Sequence, residues 1–305
     1  MSAVHEGLSI VIPVYNSSKF IGETIESIIN SCGEHKYEII LVDDLSADLD
    51  VLKKVIDQYK NIKLIEKSEK SNAAHSRNLG FENSRYEKVF FLDSDDHFTR
   101  EYIQCRLNLM NTQPYGVFFG GYTTVINRKK RIPYDIEYSD GDIRDYLFLR
   151  HGDFRTSTVS INKRFHKGTV FDSDMRKHQD WGLGIRCYDA EESIYYDKNT
   201  LVIINVGRFD QMSATMNIEA SKYFLDNYIT DDKHLIKFIE LHIIRAICNK
   251  DIKALKFFFT SLKDVEMTSK KKRIFRIYKF LSLRGIIQFS SPTLSGMKVV
   301  KNLFK

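Results

Sequence analysis

The chain has 305 residues, 43% of them hydrophobic, with only 15 Gly and 4 Pro. Those numbers allow one large domain, or one domain plus an appendage, and exclude collagen-like and disordered classes. Net charge is +6, but Lys233–Lys305 holds 17 Lys and Arg against 4 Asp and Glu, while the remainder holds 29 against 36. A mildly acidic body with a strongly basic end points to an anionic partner for that end.

The first hundred residues alternate apolar runs with helical patterns. Leu8–Val14 (LSIVIPV) reads as a strand buried on both faces. Asn16, Ser17 and Ser18 offer N-caps to a helix whose apolar stripe is Ile21, Ile25, Ile28 and Ile29. Tyr37–Val42 is a second strand, and Asp48 or Asp50 caps the helix after it. Asn61–Glu66 is a third strand, Asn72 caps a helix running to about Phe81, and Lys88–Leu92 is a fourth strand. This rhythm implies a parallel sheet wound by right-handed crossovers. Ligands of such sheets bind beyond the carboxyl ends of strands, where strand order reverses. Three places qualify: Tyr15-Asn16, Asp43-Asp44, and the run Asp93-Ser94-Asp95-Asp96.

Further along, Glu101–Asn111 reads as a helix. Gly116–Ile126 reads as a strand bent or closely approached at Gly120-Gly121. Asp142–Arg150 is a short helix, Thr156–Asn162 a strand, Lys177–Asp189 a helix, and Ile194–Val206 strand-like. From about Asn217 the pattern is helical. The four Cys, at 32, 105, 187 and 248, have no short spacing, which fits a reducing compartment rather than a zinc knuckle or redox pair. The N-terminus does not read as a signal peptide, and no run of 18 apolar residues occurs, so a cytoplasmic protein is expected.

The acidic run after strand four carries the chemistry. Three carboxylates within four residues repel one another unless a cation or hydrogen-bond donors compensate them. A hard divalent ion takes oxygen ligands and keeps positions open for phosphate oxygens. The bland alternative is an Asp-rich turn capping the next helix. Asp43-Asp44 closes strand two similarly, and Asp44 can accept a hydrogen bond from a base or ribose. His97 beside the run is either a metal ligand or a solvated loop histidine. No G-x-G-x-x-G follows strand one, which excludes a dinucleotide dehydrogenase. YNSSKF (Tyr15–Phe20) is not the Gly-rich basic loop of a nucleotidyltransferase, and the acidic motif follows the fourth strand rather than the first, unlike aspartyl phosphotransferases.

Four segments occur in order: SIVIPVYN (Ser9–Asn16), EIILVDDLSAD (Glu38–Asp48), AHSRNLG (Ala74–Gly80) and FFLDSDD (Phe90–Asp96). Together they resemble family 2 glycosyltransferases of the GT-A fold over roughly residues 8–215. The resemblance implies an α/β fold with a Rossmann-like, mostly parallel sheet flanked by helices. Its GT-A domain covers 1–216, with a donor half at about 8–100 and an acceptor half at about 101–216; residues 217–305 form a basic helical extension.

By the same resemblance, Pro13, Tyr15 and Asn16 lie against the nucleotide base, Asp44 contacts uracil, and His75 and Arg77 line the nucleotide pocket. Asp93 belongs to the donor site, Asp95 holds ribose or supports the metal, and Asp95 or Asp96 binds Mn²⁺ or Mg²⁺. Asp180 is the catalytic base, with Gln179 where the family usually has Glu. Trp181 either stacks on an acceptor sugar or simply packs. Arg208 and Ser213 sit in a loop that closes on the diphosphate. Leu45 stands where the family usually has Gly, so the turn after Asp44 is open to difference.

The implied activity is metal-dependent, inverting transfer from a nucleotide sugar, UDP-linked on the strength of Asp44, to a glycan or lipid-linked glycan in surface polysaccharide synthesis. The competing reading is a non-catalytic sugar-nucleotide-binding protein with a relict site. In the tail, Lys270-Lys271-Lys272-Arg273 precedes Ile274, Ile277, Tyr278 and Leu281 at helical spacing, with cations between. That pattern suits an anionic membrane surface at the inner face of the cell membrane; packing against the catalytic domain is the alternative. No nucleic-acid-binding pattern is present.

Overall fold

The computed structural model describes residues 7–126, 130–206, 216–249 and 251–262. The chain divides into two compact units, Met1–Phe209 and Asp210–Lys305. In the first, β1 (Leu8–Val14), α1 (Ile21–Cys32), β2 (Tyr37–Asp43), α2 (Leu49–Ile56), β3 (Ile62–Glu66), α3 (Ala73–Glu82) and β4 (Lys88–Phe91) alternate as the apolar rhythm requires. There follow β5 (His97–Phe98), α4 (Tyr102–Thr112), β6 (Val117–Gly120), β7 (Tyr122–Ile126), β8 (Lys130–Tyr134), β9 (Ser160–Asn162), α5 (Gln179–Asp189), β10 (Ile194–Asp197) and β11 (Val202–Val206).

Among the described residues, seven strands form one sheet in the order β10-β6-β9-β4-β1-β2-β3. β1 pairs in parallel with both β2 and β4, β2 with β3 and β6 with β10; β9 alone runs antiparallel, between β4 and β6. The sheet is therefore a mostly parallel one flanked by helices. Winding goes β1, β2, β3 outward and then returns to β4 on the other side of β1. Strand order thus reverses beside β1, and the crevice outside its carboxyl end is where such a sheet binds its ligand. A second sheet, β5-β11-β7-β8, stands at that end. The chain passes from one sheet to the other at Gly120-Gly121, the bend expected from the two glycines. A Cβ on Gly120 would lie 2.0 Å from the Asp197 carbonyl oxygen, so only glycine fits that crossing.

The core explains why these segments are strands. In β1 every residue but Pro13 is buried, because α1 and α2 cover one face of the sheet and α3 packs on the other. Each large apolar side chain removed from water contributes about 1.5–3 kcal/mol. α3 reaches the sheet through Gly80, where a Cβ would lie 2.3 Å from Val11 Cγ1. Gly80→Ala should therefore overpack the α3–β1 contact and cost about 1–3 kcal/mol, read as a lower thermal midpoint. An unchanged midpoint would show that Val11 can move aside.

Local details depart from the sequence expectations where loops take precedence over helix ends. None of Asn16, Ser17 or Ser18 caps α1 with its side chain; Phe20 occupies the N-cap position without a side-chain bond. The three residues are used in loop contacts instead. Asp48 sits at the N-cap of α2, but its carboxylate accepts from Ser18 N–H at 2.9 Å rather than from its own helix. Asn72 does cap α3, accepting from His75 N–H at 3.1 Å. Residues Asp145–Leu149 form a wide turn closed by an Arg150 N–H to Asp145 carbonyl bond, not an ordinary helix. The strand expected from Thr156 begins only at Ser160, after a tight helical turn over Thr156–Thr158.

The second unit is helical where it is described: α6 (Ile218–Tyr228), α7 (Asp232–Cys248) and α8 (Ile252–Thr260). Asn217, Asp231 and Asp251 cap the three helices, accepting from Ala220, His234 and Ala254 N–H. Phe224, Phe238, His242 and Phe258 stack in series through its interior. The basic tail segment 270–284 lies outside the described residues.

Candidate functional site

Three loops meet at the carboxyl ends of β1, β2 and β4, and side chains lace them together. After β1, Asn16 takes a positive φ of 50°. Its N–H donates to Ser46 Oγ, and its Oδ1 accepts from Ala47 N–H at 2.8 Å, tying the first loop to the second. Ser17 Oγ meets Ser94 Oγ at 2.9 Å, tying the first loop to the acidic turn, and Thr24 Oγ1 on α1 donates to the Ser94 carbonyl. Pro13 is partly buried at the end of β1. Tyr15 stands half exposed, with Lys70 Nζ 3.3 Å above its ring centroid. That aromatic face at the crevice mouth is suited to a planar ligand.

Asp44 is buried at the end of β2. Its Oδ1 accepts from Ser71 N–H at 2.8 Å and pairs with Lys67 Nζ at 2.7 Å. The following Leu45 is exposed and has φ 58°, so the turn keeps the left-handed conformation for which the family uses glycine. A non-glycine residue there costs about 1–2 kcal/mol, against about 0.5–1 kcal/mol of extra chain entropy for glycine. Leu45→Gly should therefore raise the urea midpoint slightly, by about 0.5 kcal/mol of stability, with an unchanged m value. A lower midpoint would contradict the strain.

The acidic turn is held from every side. Ser157 Oγ accepts from Asp93 N–H and donates to Asp96 Oδ2 at 2.6 Å. Asn205, on β11, donates its N–H to Asp96 Oδ1 at 3.0 Å and its Nδ2 to the Asp95 carbonyl at 2.6 Å; His97 Nδ1 lies 3.4 Å from that Nδ2. Asp96 is buried, while Asp93 and Asp95 are partly exposed. Burial first, then Asp95 and Asp93, push the Asp96 carboxyl well above the usual carboxylate range; Ser157 and Asn205 oppose that shift. Uncompensated negative charge of this kind is what a cation relieves. Among the described residues no three His, Cys, Asp or Glu side chains converge on one point, so no closed protein cage exists. One or two hard carboxylate ligands, with the remaining positions left to phosphate oxygens and water, are what Mg²⁺ or Mn²⁺ would take here. The donor set fits such an ion.

On the acceptor side, α5 opens with Gln179 and Asp180 behind His178, which has φ 63°. Burial pushes the Asp180 carboxyl up to about 6; Arg155 draws it back, Asp153 raises it further, and Trp181 N–H and Arg77 lower it. A carboxylate poised near neutral pH suits a general base. Asp153 was not visible as a site residue in the sequence. It is buried and accepts from Tyr122 OH at 2.7 Å, Arg155 Nε at 2.7 Å and Trp181 Nε1 at 2.9 Å. Trp181 is thereby packed, stacked on His178 and edge-on to Phe148.

Arg77 joins the two halves. It is buried, with Nη2 donating to Asp93 Oδ1 at 2.6 Å and Nη1 to Gln179 Oε1 at 2.8 Å. It thus ties the acidic turn to α5. His75 is exposed on the first turn of α3. Arg208 and Ser213 lie outside the described residues.

An acidic turn after β4, tied through Arg77 and Gln179 to a carboxylate opening α5 at the switch-point end of an α/β sheet, is the arrangement expected of a transferase of the GT-A kind. The glycosyl transferase family 2 model matches residues 9–174, and the chain belongs to that family. It is a glycosyltransferase. It is 26% identical over 282 residues to the amylovoran biosynthesis glycosyltransferase AmsB of Erwinia amylovora, covering 84% of this chain and 91% of that protein. Over 166 residues it is 37% identical to the poly(ribitol-phosphate) beta-N-acetylglucosaminyltransferase TarP of Staphylococcus aureus, covering 53% of this chain and 50% of that one. The crystal structure of S. aureus TarS 1–349 in complex with UDP-GlcNAc superposes with a TM-score of 0.67 at 16% identity, covering 98% of this chain and 91% of that one. At that identity the likeness speaks for the fold.

Proposed function

We propose that the chain transfers a sugar from a UDP-sugar, with inversion and with the help of a divalent cation, to a hydroxyl of a glycan or lipid-linked glycan in surface polysaccharide synthesis. The observation that carries this reading is Asp180: a carboxyl raised to about 6, on a helix tied through Gln179 and Arg77 to the acidic turn at Asp93.

Tyr15 receives the base on its ring face, and Asp44 accepts a hydrogen bond from the uracil ring N–H. Pro13 and Asn16 shape that end of the pocket, and His75 lines its rim. Asp95 and Asp96 are the residues that would hold Mn²⁺ or Mg²⁺, which when bound neutralises charge growing on the leaving diphosphate. Asp180 takes the proton of the attacking acceptor hydroxyl. With one base opposite the leaving group the displacement is single, so the anomeric centre inverts. Arg208 and Ser213 are assigned to the diphosphate. The names of AmsB and TarP support a polysaccharide acceptor, and the UDP-GlcNAc complex of TarS supports a UDP-linked donor. Among the described residues no helix is long and apolar enough to cross a membrane. The basic tail is assigned to an anionic lipid surface at the inner face of the cell membrane.

Thermal shift with UDP, GDP and CDP, each with Mn²⁺ or with EDTA, tests the donor half. UDP with Mn²⁺ should give the largest rise, about 2.7 kcal/mol of added stability at a hundredfold excess over Kd. Equal shifts for all three nucleotides, or a UDP shift indifferent to EDTA, would overturn it.

A further inference from the structure

We propose that Gln179, with Arg77, is a positioning residue of this transferase: its neutral amide couples the helix bearing Asp180 to the acidic turn while leaving the Arg77 charge to act on the carboxylates around it. This deepens the reading of Asp180 as base and rests on it.

Gln179 is buried, and each of its amide atoms has a separate task. Oε1 accepts from Arg77 Nη1 at 2.8 Å. Nε2 donates to the Met175 carbonyl at 2.6 Å and approaches Asn72 Oδ1 at 3.4 Å. An amide satisfies a donor on one side and acceptors on the other; a carboxylate accepts only. Glutamate, the residue usual in the family, would set a carboxylate oxygen against the Met175 carbonyl. It would also take up the Arg77 charge, which is already paired with Asp93 at 2.6 Å. Among the described residues, the charged groups that act most on Asp180 are Arg155 and Asp153 from the segment before β9 and Arg77 from α3. Arg155 is itself bound to Asp153 at 2.7 Å. A new negative charge at position 179 would leave that balance one unit more negative next to the base. Glutamine therefore suits a site whose base must be ionised near neutral pH.

The test needs no acceptor or donor. Asp180→Asn is compared with the parent by thermal unfolding from pH 4 to 8, in the native sequence and again in a chain carrying Gln179→Glu. In the native sequence the stability advantage of Asp180→Asn should grow with pH, its onset lying near the unfolded value and its level-off near 6. With Gln179→Glu that slope should persist to a level-off about one pH unit higher than in the native sequence, as expected for a negative charge added on the adjacent residue at intermediate dielectric. Gln179→Ala, which removes the bonds without adding charge, should lower the thermal midpoint but leave that level-off point in place. An unchanged level-off point with Gln179→Glu would overturn the inference, as would an equal upward shift with Gln179→Ala. If Gln179→Glu fails to fold, Gln179→Met must leave the level-off point in place while lowering the midpoint; a shift there overturns the proposal. The base reading fails separately, if Asp180→Asn keeps its rate of UDP release.

Discussion

Replacing Asp180 with Asn should lower UDP release from the UDP-sugar donor by about 10²–10⁴-fold, the usual contribution of a positioned general base. The fold should not suffer. In the native chain burial holds the Asp180 carboxyl at about 6. A carboxyl raised in the folded state binds its proton more tightly there than in the unfolded chain. Its stability contribution is fully present below the unfolded value near 4 and is lost as pH rises through about 6. The distance between those two values sets a ceiling of about 3 kcal/mol on that loss. Asparagine never ionises, so at pH 8 the variant should be more stable than the parent by about 1–3 kcal/mol, and equal to it near pH 4. The parent's rate should follow the opposite course. It should fall about tenfold per pH unit below 6 and reach a plateau above it, because the ionised form is the base. Loss of activity together with a gain of stability is the signature of a group kept strained for function. An Asp180→Asn chain that retains a tenth of the parent's rate would remove the residue from the reaction.

The same carboxylate shows where sequence reading succeeds and where it stops. β1, β2 and β4 are legible because strands buried on both faces become continuous apolar runs, and the loops after them are legible because parallel-sheet topology sends ligands there. Asp180 is marked by its place in a family motif. Its environment is not marked, because that is made by long-range contacts. Asp153 meets Tyr122 and Trp181 across 31 and 28 residues. Arg77 meets Gln179 across 102. No periodicity encodes such meetings; they follow from α3 and α5 packing at the same end of the sheet. The misread caps have a related cause. Ser17 and Asp48 carry the local chemistry of helix starts, yet Ser17 bonds Ser94 and Asp48 bonds Ser18 N–H. Where two loops must be fixed against each other, their polar side chains are worth more as cross-links than as caps. Leu45 illustrates the converse: a residue that argues against a left-handed turn adopts one because Asp44 and Ser46 on either side are anchored, by Lys67 and by Asp43.

Asp96→Asn should separate the fold of the acidic turn from its charge. The amide is the same shape as the carboxylate. Its oxygen can still accept from Asn205 N–H, and its NH₂ can donate to Ser157 Oγ where the carboxylate accepted. What disappears is a buried charge that Asp95 and Asp93 repel. The folded carboxyl lies above its unfolded value, so its ionisation removes stability as pH rises, and the ligand-free variant should be at least as stable as the parent at pH 8. Cation-linked behaviour should collapse. The rise in thermal midpoint produced by UDP with Mn²⁺ should fall to the value seen in EDTA, and UDP release should drop by about 10²–10³-fold, as when one charge-stabilising group is removed from a leaving group. A variant that is both less stable and still responsive to Mn²⁺ with UDP would mean that Asp96 is a structural anchor for Ser157 and Asn205 and that the cation sits elsewhere. Asp95→Asn then becomes the deciding comparison: its side chain is partly exposed at the same turn, and its loss should weaken the Mn²⁺ response without changing the ligand-free midpoint. If neither variant alters the Mn²⁺-dependent shift, the crowding of carboxylates at residues 93–96 is balanced by Arg77, Ser157 and Asn205 alone, and the transfer does not depend on a cation at this turn.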